Sequence, residues 1–94
     1  MSLFVVRYDY RDGSEATRDE RRPEHRAWLA QQSSLRISGP TDDVGAILIF
    51  EAADASALGG LLDHDPFAVA GTIERRVISG WTPVSGSWRE PLDL

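Results

Sequence analysis

Val44-Gly45-Ala46-Ile47-Leu48-Ile49-Phe50-Glu51 is the most continuously apolar run in the chain. Such a run marks a strand that is central in its sheet or covered on both faces. The residues just before it read as a short strand from Leu35 to Ser38, closed by Gly39-Pro40 and the acidic turn Thr41-Asp42-Asp43. The run is therefore the second arm of a hairpin. Toward the start of the chain, Leu3 to Tyr10 mixes β-branched and aromatic residues, with Phe4, Val6, Tyr8 and Tyr10 on one face and Val5, Arg7 and Asp9 on the other. This predicts a further strand.

Between the first strand and the hairpin, Asp12-Gly13-Ser14 carries turn chemistry, and Thr17 to Glu24 is so polar that it predicts a surface loop. Pro23 suits a first helical turn, so the pattern predicts a helix from Pro23 to about Ser33, with Thr17-x-x-Glu20 as an alternative earlier cap. On that helix His25, Trp28, Leu29 and Gln32 share one face at i, i+3, i+4 and i+7, while Glu24 and Arg26 point away.

After the apolar strand, Asp54 can cap a second helix whose apolar face is Leu58, Leu61 and Leu62. Gly59 and Gly60 each cost that helix ~1 kcal/mol relative to Ala, which close backbone packing would explain. Pro66 ends it, Pro66 to Ala70 forms one turn stopped by Gly71, and Thr72 to Ser79 is the last strand. Residues 83–94, with Trp88, read as an irregular extension of a single domain covering 1–94. The order β-α-β-β-α-β predicts an α+β, ferredoxin-like fold: a four-stranded antiparallel sheet with two helices on one face. The bare face calls for a second copy, and two stacked sheets would make a dimeric α/β barrel. A chain of 94 residues hides only ~60 to 68% of its unfolded surface, which favours a homodimer on independent grounds.

Composition narrows the function classes. The chain is 41% hydrophobic and 27% charged, as an ordinary globular domain is. A net charge of −5 with no basic stripe argues against nucleic acid. All ten basic residues are Arg, so lysine Schiff-base chemistry is excluded, and the lack of Cys excludes thiolate nucleophiles and Cys-ligated zinc. The opening residues carry neither a signal h-region nor a membrane span, from which a cytoplasmic protein without membrane contact is expected. No glycine-rich phosphate loop and no G-x-S-x-G elbow occurs.

His25 and Asp65 are the candidates for chemistry. An imidazole suits proton transfer near neutrality, and at a helix start the macrodipole would oppose its protonation while a carboxylate would favour it. A partly buried structural histidine is the plain alternative. Asp65, just before Pro66, is explained as a helix cap, but a carboxylate can cap with one oxygen and orient an imidazole with the other. His64 reads as solvated, and a metal set of His25, Asp63, His64 and Asp65 lacks any familiar ligand spacing, so no metal and no cofactor are expected. Arg22 could hold an anion or simply face water. Tyr8 and Phe67 are candidates for lining a substrate pocket, as Trp28, Phe50 and Trp81 are for core or interface packing. Of Glu74, Arg75 and Arg76, which alternate along the last strand, two face solvent or a partner.

Arg22-Pro23-Glu24-His25-Arg26-Ala27-Trp28-Leu29, then Ser38-Gly39-Pro40, the apolar strand, and Asp65-Pro66-Phe67 with Ala70-Gly71 resemble the YciI-like (YCII-related) family. The family pattern, R-x-x-H and a hydrophobic position, then G-P, then D-P-[FY]-x-x-A-G, spans residues 1 to about 82. The chain departs from it at Ser33-Ser34-Leu35, where a Gly is usual, at Ala46, where a Ser is common, and at Arg26, where a Leu is usual. The resemblance implies a dimeric α/β barrel with an active-site pair at His25 and Asp65. It further implies small-molecule metabolism, one branch of the family being associated with dehalogenating breakdown of chlorinated hydroxylated aromatics. The resulting expectation is an enzyme in which Asp65 sets the tautomer of His25 and His25 moves a proton in elimination, isomerisation or hydrolysis of a carbonyl-bearing or hydroxylated aromatic compound. The alternatives are a non-catalytic dimeric ligand-binding or accessory module, and a regulatory subunit docking through its tail.

Overall fold

The structure, a computed structural model, describes residues 1–94. Four strands, β1 (Ser2–Tyr10), β2 (Leu35–Thr41), β3 (Gly45–Ala52) and β4 (Ile73–Trp81), form one sheet in the order β2-β3-β1-β4. All three pairings are antiparallel. Helices α1 (Glu15–Ala30) and α2 (Ala55–Leu62) and the single turn α3 (Pro66–Val69) complete the chain order. This is the ferredoxin-like α+β fold that the order of elements predicts.

The strand periodicity decides which face the helices cover. Phe4, Val6 and Tyr8 of β1 and Ala46, Leu48 and Phe50 of β3 are buried together with Leu58 and Leu62 of α2. Trp28 and Leu29 of α1 pack against this cluster, as the helical face read from the sequence requires. Asp54 caps α2 by accepting from the Ala57 N–H at 2.7 Å. On the opposite face of the sheet Ile37 (42% exposed), Val77 (36%) and Trp81 (38%) meet solvent. Beyond Trp81 the chain runs in bends and turns, and Trp88 is exposed. No helix is long and apolar enough to cross a membrane.

Three boundaries and one packing expectation differ from the sequence reading. α1 begins at Glu15 and runs through Pro23, so the predicted loop over 17–24 is helix. Pro23 is exposed, which puts the hydrogen bond it cannot make on the solvent side, where water replaces it. β2 continues through Gly39 and Pro40 to Thr41, because an edge strand tolerates a proline. β4 likewise passes through Gly80 to Trp81, held by pairing with Leu3 and Phe4. At Gly59 an added Cβ would find ordinary contacts at 3.5 Å or more and at Gly60 nothing within 4 Å, so close packing does not account for this pair.

Candidate active site

Asp65 precedes Pro66 and holds an extended backbone (φ −58°, ψ 126°), as the proline ring demands of its neighbour. Its side chain turns back over α3 and accepts the Phe67 N–H on Oδ1 at 2.9 Å. This is the capping bond expected of Asp-Pro. Asp65 is nevertheless completely buried, and a buried carboxylate is tolerable only when its oxygens are supplied with donors. Two more arrive from distant parts of the chain. Tyr8, on the inward face of β1, donates its hydroxyl to Oδ2 at 2.9 Å, and His25 Nδ1 of α1 lies 2.7 Å from Oδ1.

The Tyr8 phenol is pushed well above its ordinary range, first by burial and then by the negative charge of Asp65. It therefore keeps its proton and acts as a donor. With Asp65 as the acceptor, Nδ1 of His25 carries the ring proton and Nε2, which makes no hydrogen bond within the chain, is left with its lone pair. His25 sits deep in α1, not in the first turn, so it lies away from the helix end where the macrodipole acts. What holds the ring is the Asp65 carboxylate, 2.7 Å from Nδ1.

Around this pair the side chains are aromatic and cationic. The imidazole stacks on Phe67, with ring centroids 3.9 Å apart and planes 5° from parallel. Tyr10 meets the edge of Phe67 at 5.7 Å, and the Arg18 guanidinium lies 4.5 Å above the Tyr10 ring. Arg18 is itself buried, with Nε donating to Ser14 Oγ at 3.0 Å. Burial and Asp65 raise the Tyr10 phenol, against the opposing pull of Arg18 and Arg22.

A cavity of about 310 Å³ opens between α1 and the β2–β3 turn, and His25, Tyr10 and Phe67 line it. Two backbone features shape its far wall. Val44 in the turn has φ +64°, a left-handed conformation that a β-branched residue rarely adopts. At Gly45 a Cβ would lie 2.4 Å from the Tyr8 carbonyl oxygen. Only glycine lets β3 approach β1 at the residue that carries the buried phenol.

The structure thus brings His25, Asp65, Tyr8 and Phe67 together. Arg22 lines the cavity but also pairs with Asp19 on its own helix. His64 is exposed, and no group of three or more His, Cys, Asp or Glu stands close enough to hold a metal ion. One placement is corrected: Arg26 does not point away from His25 but lines the same cavity. Arg18 was not read as a site residue, and Tyr10 was read only as part of one face of the first strand. Arg18 falls seven residues before His25, a same-face spacing visible only once the helix is started at Glu15.

Comparison with solved structures gives a 5-chloro-2-hydroxyhydroquinone dehydrochlorinase from Burkholderia phenoliruptrix, in complex with 2,5-dihydroxybenzoquinone. It is 27% identical, with TM-score 0.76, covering 85% of this chain and 93% of that one. Two more distant likenesses bear on fold alone. They are an uncharacterized NIPSNAP domain protein from Burkholderia xenovorans (16% identity, TM-score 0.55, 90% and 96% covered) and a putative antibiotic biosynthesis monooxygenase from Bacteroides thetaiotaomicron (11%, 0.53, 92% and 91%). No curated protein matches the sequence. The YCII-related domain matches residues 2–82, from the start of β1 to the end of β4, so that the whole sheet, both helices and the His25–Asp65 pair fall within it, and the chain belongs to that family.

Proposed function

We propose that this chain is an enzyme that moves a proton on a small hydroxylated aromatic compound, with His25 as the proton-transfer group and Asp65 as the residue that orients it. The observation that carries the reading is the 2.7 Å contact between His25 Nδ1 and a fully buried carboxylate. That contact fixes the ring and its tautomer and leaves Nε2, in a residue lining the cavity, free to take or give a proton. Phe67 and Tyr10 supply flat apolar surface for a planar substrate. Tyr8 lines the same cavity, and because its hydroxyl is spent on Asp65 it positions the pair.

The likeness to a dehydrochlorinase in complex with a dihydroxybenzoquinone favours elimination over the other reaction types. For a chlorinated trihydroxybenzene the balance is simple. One hydroxyl proton moves to the chlorine-bearing ring carbon, then chloride leaves with the C–Cl electron pair as a second hydroxyl proton is lost, giving a hydroxyquinone and HCl. Both steps are proton transfers, to which an oriented imidazole contributes ~10²- to 10⁴-fold. They call on no cofactor. A homodimer joined through the sheet face opposite the helices, where Ile37, Val77 and Trp81 are exposed, belongs to the same proposal.

Chloride release from 5-chloro-2-hydroxyhydroquinone tests it. The wild-type chain turns the compound over, and His25→Ala and Asp65→Asn each lower the rate at least ~100-fold while circular dichroism stays native. Full activity in both variants, or chloride release no faster than in buffer, sinks the reading. It would leave the pair as a device that caps α3 and ties it to α1.

A further inference from the structure

Arg18, Arg22 and Arg26 stand at i, i+4 and i+8 on α1 and so share one helical face with His25. All three line the cavity beside it. The chain as a whole is acidic, with fifteen Asp and Glu against ten Arg, yet not one Asp or Glu lines this cavity. The pocket is therefore a cationic site in an anionic protein.

The three arginines are not equivalent. Arg18 is buried, stacked on Tyr10 and tied to Ser14, a fixed wall. Its guanidinium is 3.9 Å from Glu15, a contact at the margin of an ion pair. Arg22 shares its charge with Asp19 through Nη1. Arg26 is exposed and has no carboxylate within ion-pairing distance. A guanidinium left without a partner at the rim of a cavity, beside a second one with donors to spare, matches the two oxygens of a carboxylate.

We infer that the cavity takes a small planar organic anion, an aromatic carboxylate or phenolate, whose charged oxygens meet Arg26 and Arg22 while its ring lies beside His25. The inference rests on the cavity being the substrate site proposed above. A neutral ring of the same shape enters the same space but leaves Arg26 without a partner. An oxyanion held there has its negative charge stabilised before His25 acts.

Equilibrium binding separates the two claims. 2,5-Dihydroxybenzoate and its methyl ester differ at one charged group and are titrated calorimetrically into the wild-type chain, Arg26→Gln and the double variant Arg22→Gln/Arg26→Gln. The acid binds wild type at least ~10-fold tighter than the ester. The preference falls about 3-fold in Arg26→Gln, disappears in the double variant, and shrinks as salt rises from 0.05 to 0.5 M, whereas ester binding moves less than 2-fold throughout. Equal binding of acid and ester to wild type, no binding of the acid, or a preference that survives the double substitution overturns the inference. Since binding needs no turnover, a retained preference without chloride release defeats the proposed reaction alone. Chloride release without a preference defeats the anion site alone.

Discussion

The rings of His25 and Phe67 lie face to face, 3.9 Å between centroids and 5° from parallel, although the two residues belong to different helices. Phe67 is also the residue whose N–H caps onto Asp65. One residue thus holds the imidazole plane with its ring and the orienting carboxylate with its backbone.

Phe67→Leu separates those two roles. The backbone bond to Asp65 persists, and the smaller apolar side chain at this buried position costs ~1–2 kcal/mol of stability. The imidazole loses the flat surface that sets its tilt. Turnover falls about 10-fold with KM little changed, because a small misplacement of a reacting group acts on the rate. Steady-state kinetics checks this, and an unchanged kcat would show that Asp65 alone positions the ring.

Tyr8→Phe deletes the donor on Asp65 Oδ2 and leaves a buried oxygen unsatisfied, at a cost of ~1–3 kcal/mol by urea denaturation. The pH dependence has a definite sign. The phenol ionises near its ordinary value of 10 in the unfolded chain and higher in the folded one, raised by burial and then by Asp65. Its contribution is complete below pH 10 and is lost as pH rises through the folded value, at up to ~1.4 kcal/mol per pH unit. The variant shows a shallower loss above pH 10, with the share of Tyr10, also raised, remaining.

Val44→Asn relieves a left-handed backbone (φ +64°) that costs a β-branched residue ~1–3 kcal/mol. Since Val44 is 52% exposed, little packing is lost with it. The urea midpoint rises by the equivalent of about 1 kcal/mol at unchanged slope. A lowered midpoint would mean that the side chain contributes more to the cavity wall than the strain removes.

If a second copy packs on the sheet face opposite the helices, sedimentation of the wild-type chain gives a dimer. Val77→Glu, on that face, shifts it toward monomer by placing an unpaired charge in the contact. A monomeric wild type would rule out the barrel arrangement.

The strand periodicities and the order of elements carry the topology of the fold. Phe4, Val6 and Tyr8, and Ala46, Leu48 and Phe50, had to share a face because side chains alternate along a strand. Asp65 was legible as a cap from Asp-Pro alone, and His25 as a residue on the inward face of a helix. The start of α1 was not legible, since the polarity of 17–24 and Pro23 both signal a loop. The segment can be polar and still helical because its inward positions, Arg18 and Arg22, face a cavity rather than an apolar core.

Local sequence thus determined which elements form, which faces they bury and that Asp65 caps the turn after it. The family resemblance paired His25 with Asp65, but only the tertiary structure decided that Tyr8 joins them in one hydrogen-bonded centre, with His25 and Asp65 40 residues apart and Tyr8 and Asp65 57. The same holds for the row of arginines that walls its cavity. Periodicity is a property of neighbours along the chain, whereas these contacts depend on how α1 and α3 are laid across one end of the sheet.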